Sequence, residues 1–362
     1  MSPRLCWVIS LNCSCLIRVP TAGRSRSGSH CMMGQDTTDV RRKVQAILQV
    51  IKDSPQPVGA RVISRELQHH GVELTERAVR YHLKLMNERG LTQSVGNDGR
   101  TLTERGHEEL RNAMVIDKVG FVINRIEVLA FHTTFNPADR SGDIVINVSF
   151  FAEDKFKAAL RAMQSAFKAR LCVSDLVAIA NEGERMGQAI VPPGMIGFAT
   201  VCSITINGVL LKAGIPMGSR FGGILEMRQH RPHRFSELIN YEGSTLDPSE
   251  IFISGRMTAV SRAASIGEGK VLANFRDLPG QCRRTAQFVI AGMERAGIQG
   301  MLLMGEISEP VCEIPVGLNR SGVVLLGGLN PVAAAVESGI TVDNTAMGGV
   351  MEYRKLVNFW DL

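Results

Sequence analysis

The chain has 362 residues, 44% of them hydrophobic, which is enough for the cores of two or three domains of ordinary size. Its formal net charge is +6, but residues 113–362 carry 24 acidic and 24 basic side chains, so the whole excess lies in the first third. These values indicate a soluble globular protein and exclude a chain that is basic throughout. A basic N-terminal module on a neutral body fits an anionic partner at that end.

The segment of residues 1–35 has an irregular composition. Residues 5–17 form a moderately apolar run that is too short to span a membrane, and residues 21–30 have the composition of a disordered segment. The segment is either a disordered tail or non-native sequence upstream of a start at Met32 or Met33. The apolar run could also be taken for the central region of a signal peptide for export. We favour non-native sequence, because the next segment indicates a DNA-binding module and an exported protein would have no DNA to bind.

The eight cysteines do not form a recognisable framework. Four lie within the first 31 residues, the other four are widely scattered, and no CxxC pair occurs. We therefore expect reduced thiols in a cytoplasmic protein, and neither a zinc site nor a set of disulfides.

Residues 36–113 are predicted to form a winged helix-turn-helix. The first helix has apolar residues at i, i+4, i+7, i+8 and i+11 from Val40, and the second follows Pro57 and ends at Gly71. The third extends from Thr75, its N-cap, to Gly90, at helix-turn-helix spacing. Two short extended runs joined by the turn sequence GNDG then form a hairpin, and residues 104–113 form a closing helix.

The third helix is predicted to bind DNA. One face is an apolar stripe, and the other carries three cations and a tyrosine that could contact phosphates and base edges in the major groove. An arginine on the hairpin could reach the backbone or the minor groove. The predicted DNA-binding residues are Arg77, Arg80, Tyr81, Lys84 and Arg100. His82 could bind a phosphate or pack beneath the helix, and a winged helix that contacts only other proteins is the alternative.

Residues 114–362 alternate extended and helical patterns. We predict strands at residues 121–137, 142–151, 176–180, 197–206, 250–260, 269–275 and 299–304, and helices at residues 152–170 and 283–296. This alternation indicates an α/β or α+β domain. No GxSxG, Walker, HExxH or strand-linked GxGxxG motif occurs, so we expect no enzyme and no metal or cofactor, although sites assembled from distant residues leave no such signature.

The body contains a predicted internal duplication. GIPMGSRFGGILEMRQHRP and EIPVGLNRSGVVLLGGLNP align at a constant offset of 99 residues. We predict half-domains at about residues 114–248 and 249–362 with a pocket between them, lined by both IPxG loops. Their glycines and arginines could hold a small dicarboxylate, whereas glycines that only form tight turns are the simpler interpretation. The predicted effector-binding residues are Gly218, Arg220, Gly222, Gly223, Gly317 and Arg320.

Several motifs, in this order, resemble one family. ERAVRYHLKLMNERGLT on the predicted winged helix, then DKVGFVINRIEVLAFHTTFNP, VINVSFF, GIPMGSRFGGILE, RMTAV and GKVLANFRDLPG, resemble NrpR, the nitrogen-regulation transcriptional repressor of methanogenic archaea. The resemblance covers residues 41–361. It implies a homodimer that represses nitrogen-assimilation genes by binding an inverted-repeat DNA operator. It also implies that the effector 2-oxoglutarate releases this dimer from the operator.

The predicted fold class is α+β, with the winged helix-turn-helix at residues 36–113 and an α/β regulatory domain at residues 114–362 that binds the effector and forms the dimer. Some members of the family have two regulatory domains and some lack the winged helix, which leaves open whether a companion regulatory-domain protein is needed. The alternative functions are a co-regulator that acts through such a companion and an enzyme domain fused to a winged helix.

Overall fold

The computed structural model describes residues 32–69, 72–96, 98–111 and 120–362. Most of the predicted N-terminal extension lies outside the described residues, and residues 32–35 belong to the first helix. The domain boundary predicted between residues 113 and 114 also lies outside them.

The N-terminal module has the predicted order of elements. It comprises α1 (Met32–Asp53), α2 (Ala60–His69), α3 (Glu76–Glu88), β1 (Thr92–Val95), β2 (Gly99–Leu102) and α4 (Glu104–Arg111). Leu48, Ile63 and Leu67 are fully buried in a core that belongs to this module. Strands β1 and β2 form the antiparallel wing, and Val58 pairs with Arg100 in an isolated bridge that ties the wing to the segment before α2. The winged helix-turn-helix is therefore confirmed.

The body contains seven helices and twelve strands among the described residues. The helices are α5 (Phe121–His132), α6 (Glu153–Lys168), α7 (Ile204–Lys212), α8 (Pro248–Ser254), α9 (Val260–Ile266), α10 (Arg283–Arg295) and α11 (Asn330–Glu337). The strands are β3 (Asp143–Ala152), β4 (Leu176–Ala180), β5 (Arg185–Met186), β6 (Ala189–Ile190), β7 (Met195–Val201), β8 (Gly218–Arg228), β9 (Arg231–Asn240), β10 (Gly269–Pro279), β11 (Met301–Ile307), β12 (Arg320–Leu326), β13 (Asp343–Glu352) and β14 (Val357–Asn358). Short 3₁₀ turns occupy Gly280–Cys282, Tyr353–Lys355 and Phe359–Asp361.

Two five-stranded sheets organise the body. The first sheet has the order β13-β3-β7-β4-β14 and the second has the order β11-β12-β10-β8-β9. Every pairing within them is antiparallel. The alternation of helices and strands along the chain therefore produces an α+β domain, because none of the crossover connections joins neighbouring parallel strands.

The order of elements occurs twice. The series β3-α6-β4-β7-α7-β8-β9 matches β10-α10-β11-β12-α11-β13-β14. Each series sends a late strand into the sheet of the other: β8 pairs with β10, and β13 pairs with β3. The halves are therefore joined by strand exchange, and each sheet contains strands from both.

Hydrogen bonds fix the register of the duplication. The Thr205 hydroxyl bonds both the N–H and the carbonyl of Val145, and the Asn330 side chain bonds both groups of Leu272 in the same way. Thr205 and Asn330 are 125 residues apart and their partners Val145 and Leu272 are 127 residues apart, so the predicted offset of 99 is wrong. That offset aligned β8 with β12, whereas the partner of β12 in the repeat is β7.

The two largest hydrophobic cores of the body combine the two halves. In one core α6 packs with α11, and in the other α7 packs with α10, and both cores include residues from both sheets. The exchange of strands β8 and β13 explains this arrangement, because it places helices of different halves over the same sheet.

Several predicted elements are wrong. The strand at residues 121–137 is the helix α5, whose buried residues Val122, Ile126 and Leu129 recur at helical spacing. The strand at residues 250–260 is replaced by α8, which begins with Pro248 behind its N-cap Asp247, and by the start of α9. Strand β7 ends at residue 201, earlier than predicted. The first IPxG loop leads directly into the strand β8, which begins at its last residue, Gly218.

Candidate functional site

The exposed face of α3 carries four of the predicted DNA-binding residues. Thr75 caps the helix by accepting a hydrogen bond from the N–H of Ala78 at 3.3 Å. The stripe of Val79, Leu83 and Met86 is buried. This packing turns the opposite side of the helix to solvent. The exposed residues on that side are Arg77, Arg80, Tyr81 and Lys84.

Two contacts hold the cationic face in place. Arg80 forms a 2.5 Å ion pair with Glu76, one turn earlier on the helix. Arg100, on the wing, donates a hydrogen bond of 3.1 Å to the side-chain oxygen of Asn87 near the end of α3. The wing arginine is therefore positioned beside the helix, and the five predicted residues belong to one structural unit.

His82 packs in the interior of the N-terminal module and is not exposed on the predicted DNA-facing side of α3. Its side chain is buried beneath α3, and burial, together with the charge of Lys43, lowers the pKa of the imidazole. A neutral, buried ring is poorly suited to a phosphate contact, so the structure favours the packing alternative for this residue.

The predicted effector-binding residues divide into two groups. Arg220 and Arg320 converge on Asp277, at 2.9 Å from Nε to Oδ2 and 2.6 Å from the guanidinium to Oδ1. Gly218 lies against the same carboxylate, because a Cβ there would lie 2.4 Å from Asp277 Oδ1. Gly317 lies near Arg320. In this cluster both arginines form ion pairs with one internal carboxylate.

Gly222 and Gly223 lie elsewhere on β8 and serve close packing. A Cβ on Gly222 would lie 2.8 Å from the side chain of Pro248, and one on Gly223 would lie 2.6 Å from the carbonyl oxygen of Glu237. Their absence of a side chain lets α8 and β9 approach β8. The structure thus brings Gly218, Arg220, Gly317 and Arg320 together and separates Gly222 and Gly223 from them.

A polar cavity lies where the two halves meet, at a place that sequence reasoning missed. We call it the seam cavity, and it encloses about 20 Å³. Residues from both halves line it in equivalent positions: Ser203 precedes α7 as Gly328 precedes α11, and Asn147 on β3 matches Asn274 on β10. Gly328 permits the contact between the halves, since a Cβ there would lie 2.3 Å from the carbonyl oxygen of Val201.

Arg276 is the buried arginine in the lining of the seam cavity. Its side chain is 1% exposed, and its guanidinium donates hydrogen bonds to the hydroxyls of Ser219 at 2.8 Å and Ser203 at 3.4 Å. The sequence signal for this site is faint: Asn274 and Arg276 alternate with the apolar residues Ala273 and Phe275 in the middle of β10. Its other members are contributed by distant segments, which only folding brings together.

Neither a membrane-spanning helix nor a cluster of metal-binding side chains was found within the described ranges. None of the helices there is long and apolar enough to cross a bilayer. Among the same residues, no group of three or more His, Cys, Asp or Glu side chains is placed to hold a metal ion.

Comparison with known proteins assigns both modules to a class. The profile of "NrpR regulatory domains NRD1 and 2" matches residues 119–358, and that of "Ribonuclease R winged-helix domain" matches residues 45–110. The second match agrees with the helices and wing of the N-terminal module. Together they define a winged-helix regulator with an NrpR-type regulatory region.

Curated relatives come from methanogens. The chain is 39% identical to the "Global nitrogen regulator NrpRI" of Methanosarcina mazei over 88% of its own length and 98% of that protein. It is 32% identical to the "Global nitrogen regulator NrpR" of Methanocaldococcus jannaschii and to that of Methanococcus maripaludis, and spans 55% and 52% of those longer proteins. A crystal structure of a nitrogen repressor-like protein from Methanococcus jannaschii aligns with a TM-score of 0.55 at 26% identity, over 67% of this chain and 98% of that one. The chain belongs to the NrpR family.

Proposed function

We propose that this chain is a DNA-binding transcriptional repressor of nitrogen-assimilation genes. As a homodimer it binds an inverted-repeat operator in the cytoplasm, alone or with a companion regulatory-domain protein, and 2-oxoglutarate releases it. The observation that carries the proposal is the exposed cationic face of α3 beside an arginine-bearing wing. The names of the relatives, global nitrogen regulators, support the regulated process.

The exposed residues of α3 suit the major groove. Arg77, Arg80 and Lys84 can bind phosphates and guanine edges, and Tyr81, whose side chain is 63% exposed, adds a hydroxyl and an apolar ring. Arg100 is held near the end of α3 by Asn87, where it can reach a phosphate or the minor groove. The ion pair of Arg80 with Glu76 is solvent-exposed, so exchanging it for a phosphate costs little.

Release by an effector follows from the geometry of a dimer. Two recognition helices bind an inverted repeat only when they lie about one helical turn of DNA apart. An effector that binds better to a conformation with a different spacing shifts the population away from DNA. The duplicated body supplies the domain in which such an effector binds.

The first test is a gel-shift titration of the native promoter with the full-length protein, with and without 2-oxoglutarate. We expect a retarded complex that the effector weakens. Turnover of 2-oxoglutarate by the purified protein would instead favour the enzyme alternative.

The second test changes the recognition helix. The double variant Arg77→Ala with Arg80→Ala should lose operator affinity by several kcal/mol, because each bidentate contact to a base contributes about 1–3 kcal/mol. The matched control is Arg161→Ala, which removes an exposed arginine from α6 in the body and should leave the affinity unchanged. If the double variant binds the operator as well as the native protein, the winged helix does not read DNA through α3, and the co-regulator alternative is favoured.

A further inference from the structure

A wide apolar groove crosses the outer surface of the body. It lies between α7, α10 and the segment of residues 134–140, and its volume is about 900 Å³. We call it the α7–α10 groove. Its lining is mainly apolar, with Phe135, Val209, Phe288 and Val289 among the side chains. The groove is open on one side, so it does not enclose a small molecule as ligand pockets usually do.

Phe288 is the most exposed aromatic side chain of the groove, with 76% of it open to solvent. It projects from α10 on the side opposite Ala286, Ile290 and Met293, which are buried against the core. Folding of this chain therefore gains little from the ring. Covering it with a partner would remove a large apolar area from water, which would stabilise a complex.

Gly292 lies one helical turn after Phe288 on the same face of α10, and Arg295 continues that face. Glycine in the middle of a helix lowers the stability of the helix relative to alanine. The folded chain does not require glycine here, since the nearest atom to an added Cβ would be 3.9 Å away. The missing side chain instead leaves room for the close approach of a second backbone from outside.

The charged side chains at the rim of the groove are all basic. Arg140, Lys212 and Arg295 belong to the described lining, which includes no Asp or Glu. None of the three forms an ion pair with another described residue. Arg140 donates a 2.9 Å hydrogen bond to the carbonyl oxygen of Arg295, and Lys212 Nζ lies 4.8 Å from the centre of the Phe131 ring. These cations have no carboxylate to balance them, so the rim is complementary to an acidic partner.

Three other occupants fit the groove less well. Residues 1–31 contain four Arg and no Asp or Glu, so the basic rim would repel that segment. A second copy of the chain, placed on a twofold axis through the groove, would bring the same three cations face to face. Nucleic acid would place phosphates against the rim but would leave the apolar floor without a partner.

We propose that the α7–α10 groove binds an acidic amphipathic helix of a partner protein. The apolar stripe of that helix, with residues at i, i+4 and i+7, covers Phe288 and crosses α10 at Gly292. Carboxylates beside the stripe pair with Lys212, Arg295 and Arg140 at the rim. The contact involves neither DNA nor effector, so it goes beyond the proposed function and does not rest on it. It gives the protein a surface for a second protein while α3 is free to contact DNA.

The test is a fluorescence anisotropy titration of the full-length protein into a labelled synthetic peptide of about 18 residues, or roughly five helical turns. The peptide carries leucine on one helical face and glutamate on the rest, and a second peptide has lysine in place of glutamate. We expect the glutamate peptide to bind, the lysine peptide not to bind, and the affinity to fall as salt is raised. Phe288→Ala should weaken binding about tenfold or more, because the complex loses buried aromatic surface. The matched control Phe121→Ala removes an exposed ring from α5, outside the groove, and should bind like the native protein.

Two further variants address the basic rim and the glycine. Lys212→Glu, at the last residue of α7, should weaken binding of the glutamate peptide several-fold. The matched control Lys168→Glu, at the last residue of α6, should not. Gly292→Gln has open space around its Cβ, so the protein should keep its melting temperature while the new side chain blocks the approaching helix and weakens binding.

The proposal is overturned if the glutamate peptide does not bind, if both peptides bind equally well, or if Phe288→Ala keeps the native affinity. Analytical ultracentrifugation of the same proteins distinguishes a second copy of the chain. A lower oligomeric state of Phe288→Ala or Lys212→Glu would show that the groove joins copies of this chain, which would also overturn the proposal. Operator gel shifts of Lys212→Glu should match those of the native protein, and a loss of DNA affinity there would show that the groove binds nucleic acid instead.

Discussion

Single residues decide how closely the two halves of the body approach. Gly328 precedes α11 at the seam, and a Cβ there would meet the carbonyl oxygen of Val201 at 2.3 Å and the amide nitrogen of Asn147 at 2.5 Å. Backbone cannot yield as a flexible side chain can, so this contact requires glycine. Arg276 lines the same cavity and is buried without an ion-pair partner among the described residues, which costs free energy.

We expect Gly328→Ala to destabilise the body by about 1–3 kcal/mol, because the added methyl group would push the two halves apart. The matched control is Gly292→Ala within α10, where the nearest atom to the new Cβ would be 3.9 Å away. Alanine favours the helical conformation there and should stabilise the protein by about 0.5–1 kcal/mol. Urea denaturation measures both changes, and equal effects of the two substitutions would contradict the steric argument.

At the scale of elements, the position of α3 depends on its ends as well as on its apolar stripe. Thr75 caps the first turn, and the Ser64 hydroxyl bonds the carbonyl oxygen of Leu74 at 2.6 Å, which fixes the turn between α2 and α3. Leu83 and Met86 then anchor the helix in the core of the module. A recognition helix must be rigid before it can discriminate between base sequences.

Thr75→Ala should therefore lower the stability of α3 by about 1 kcal/mol, because the N–H of Ala78 loses its acceptor. Thr75→Ser keeps the oxygen and should behave like the native protein. Hydrogen exchange of the α3 amides is the measurement, with faster exchange expected in the alanine variant alone. The same rate in all three proteins would show that the cap does not limit opening of the helix.

Over the whole molecule, strand exchange makes the two halves of the body interdependent. Strand β13 of the second half lies beside β3, and β8 of the first half lies beside β10. The two largest cores of the body combine helices of different halves. Neither half can keep its sheet or its core once the other unfolds.

The body should consequently unfold in one transition. Met163→Ala in one core and Met293→Ala in the other should each lower the free energy of unfolding for that transition by about 2–5 kcal/mol, since both methionines are at most 1% exposed. Calorimetry, with hydrogen exchange of β3 and β10 to assign the peak, is the measurement. Two body transitions, each sensitive to only one of the substitutions, would show that the halves are independent.

The sequence by itself determined what depends on local patterns. Helical periodicity, the Thr75 cap and the GNDG turn predicted the winged helix, because those signals involve residues that are close along the chain. Strands at residues 142–151 and 269–275 and both long helices were predicted correctly for the same reason. The run at residues 121–137 was wrongly predicted as a strand because its β-branched and aromatic residues favour strands. Tertiary packing of one helical face stabilises α5 instead.

Only the tertiary structure decided which residues meet. Sequence similarity placed the repeat 99 residues apart, whereas the equivalent hydrogen bonds of Thr205 with Val145 and of Asn330 with Leu272 set it at 125 to 127 residues. Arg220 on β8 and Arg320 on β12, with the glycines near them, were predicted to form one anion site, whereas in the structure both arginines pair with Asp277 and Gly222 packs against Pro248. Arg276 stands out only after folding, because a charge lacks a partner only where distant segments have closed around it and excluded water.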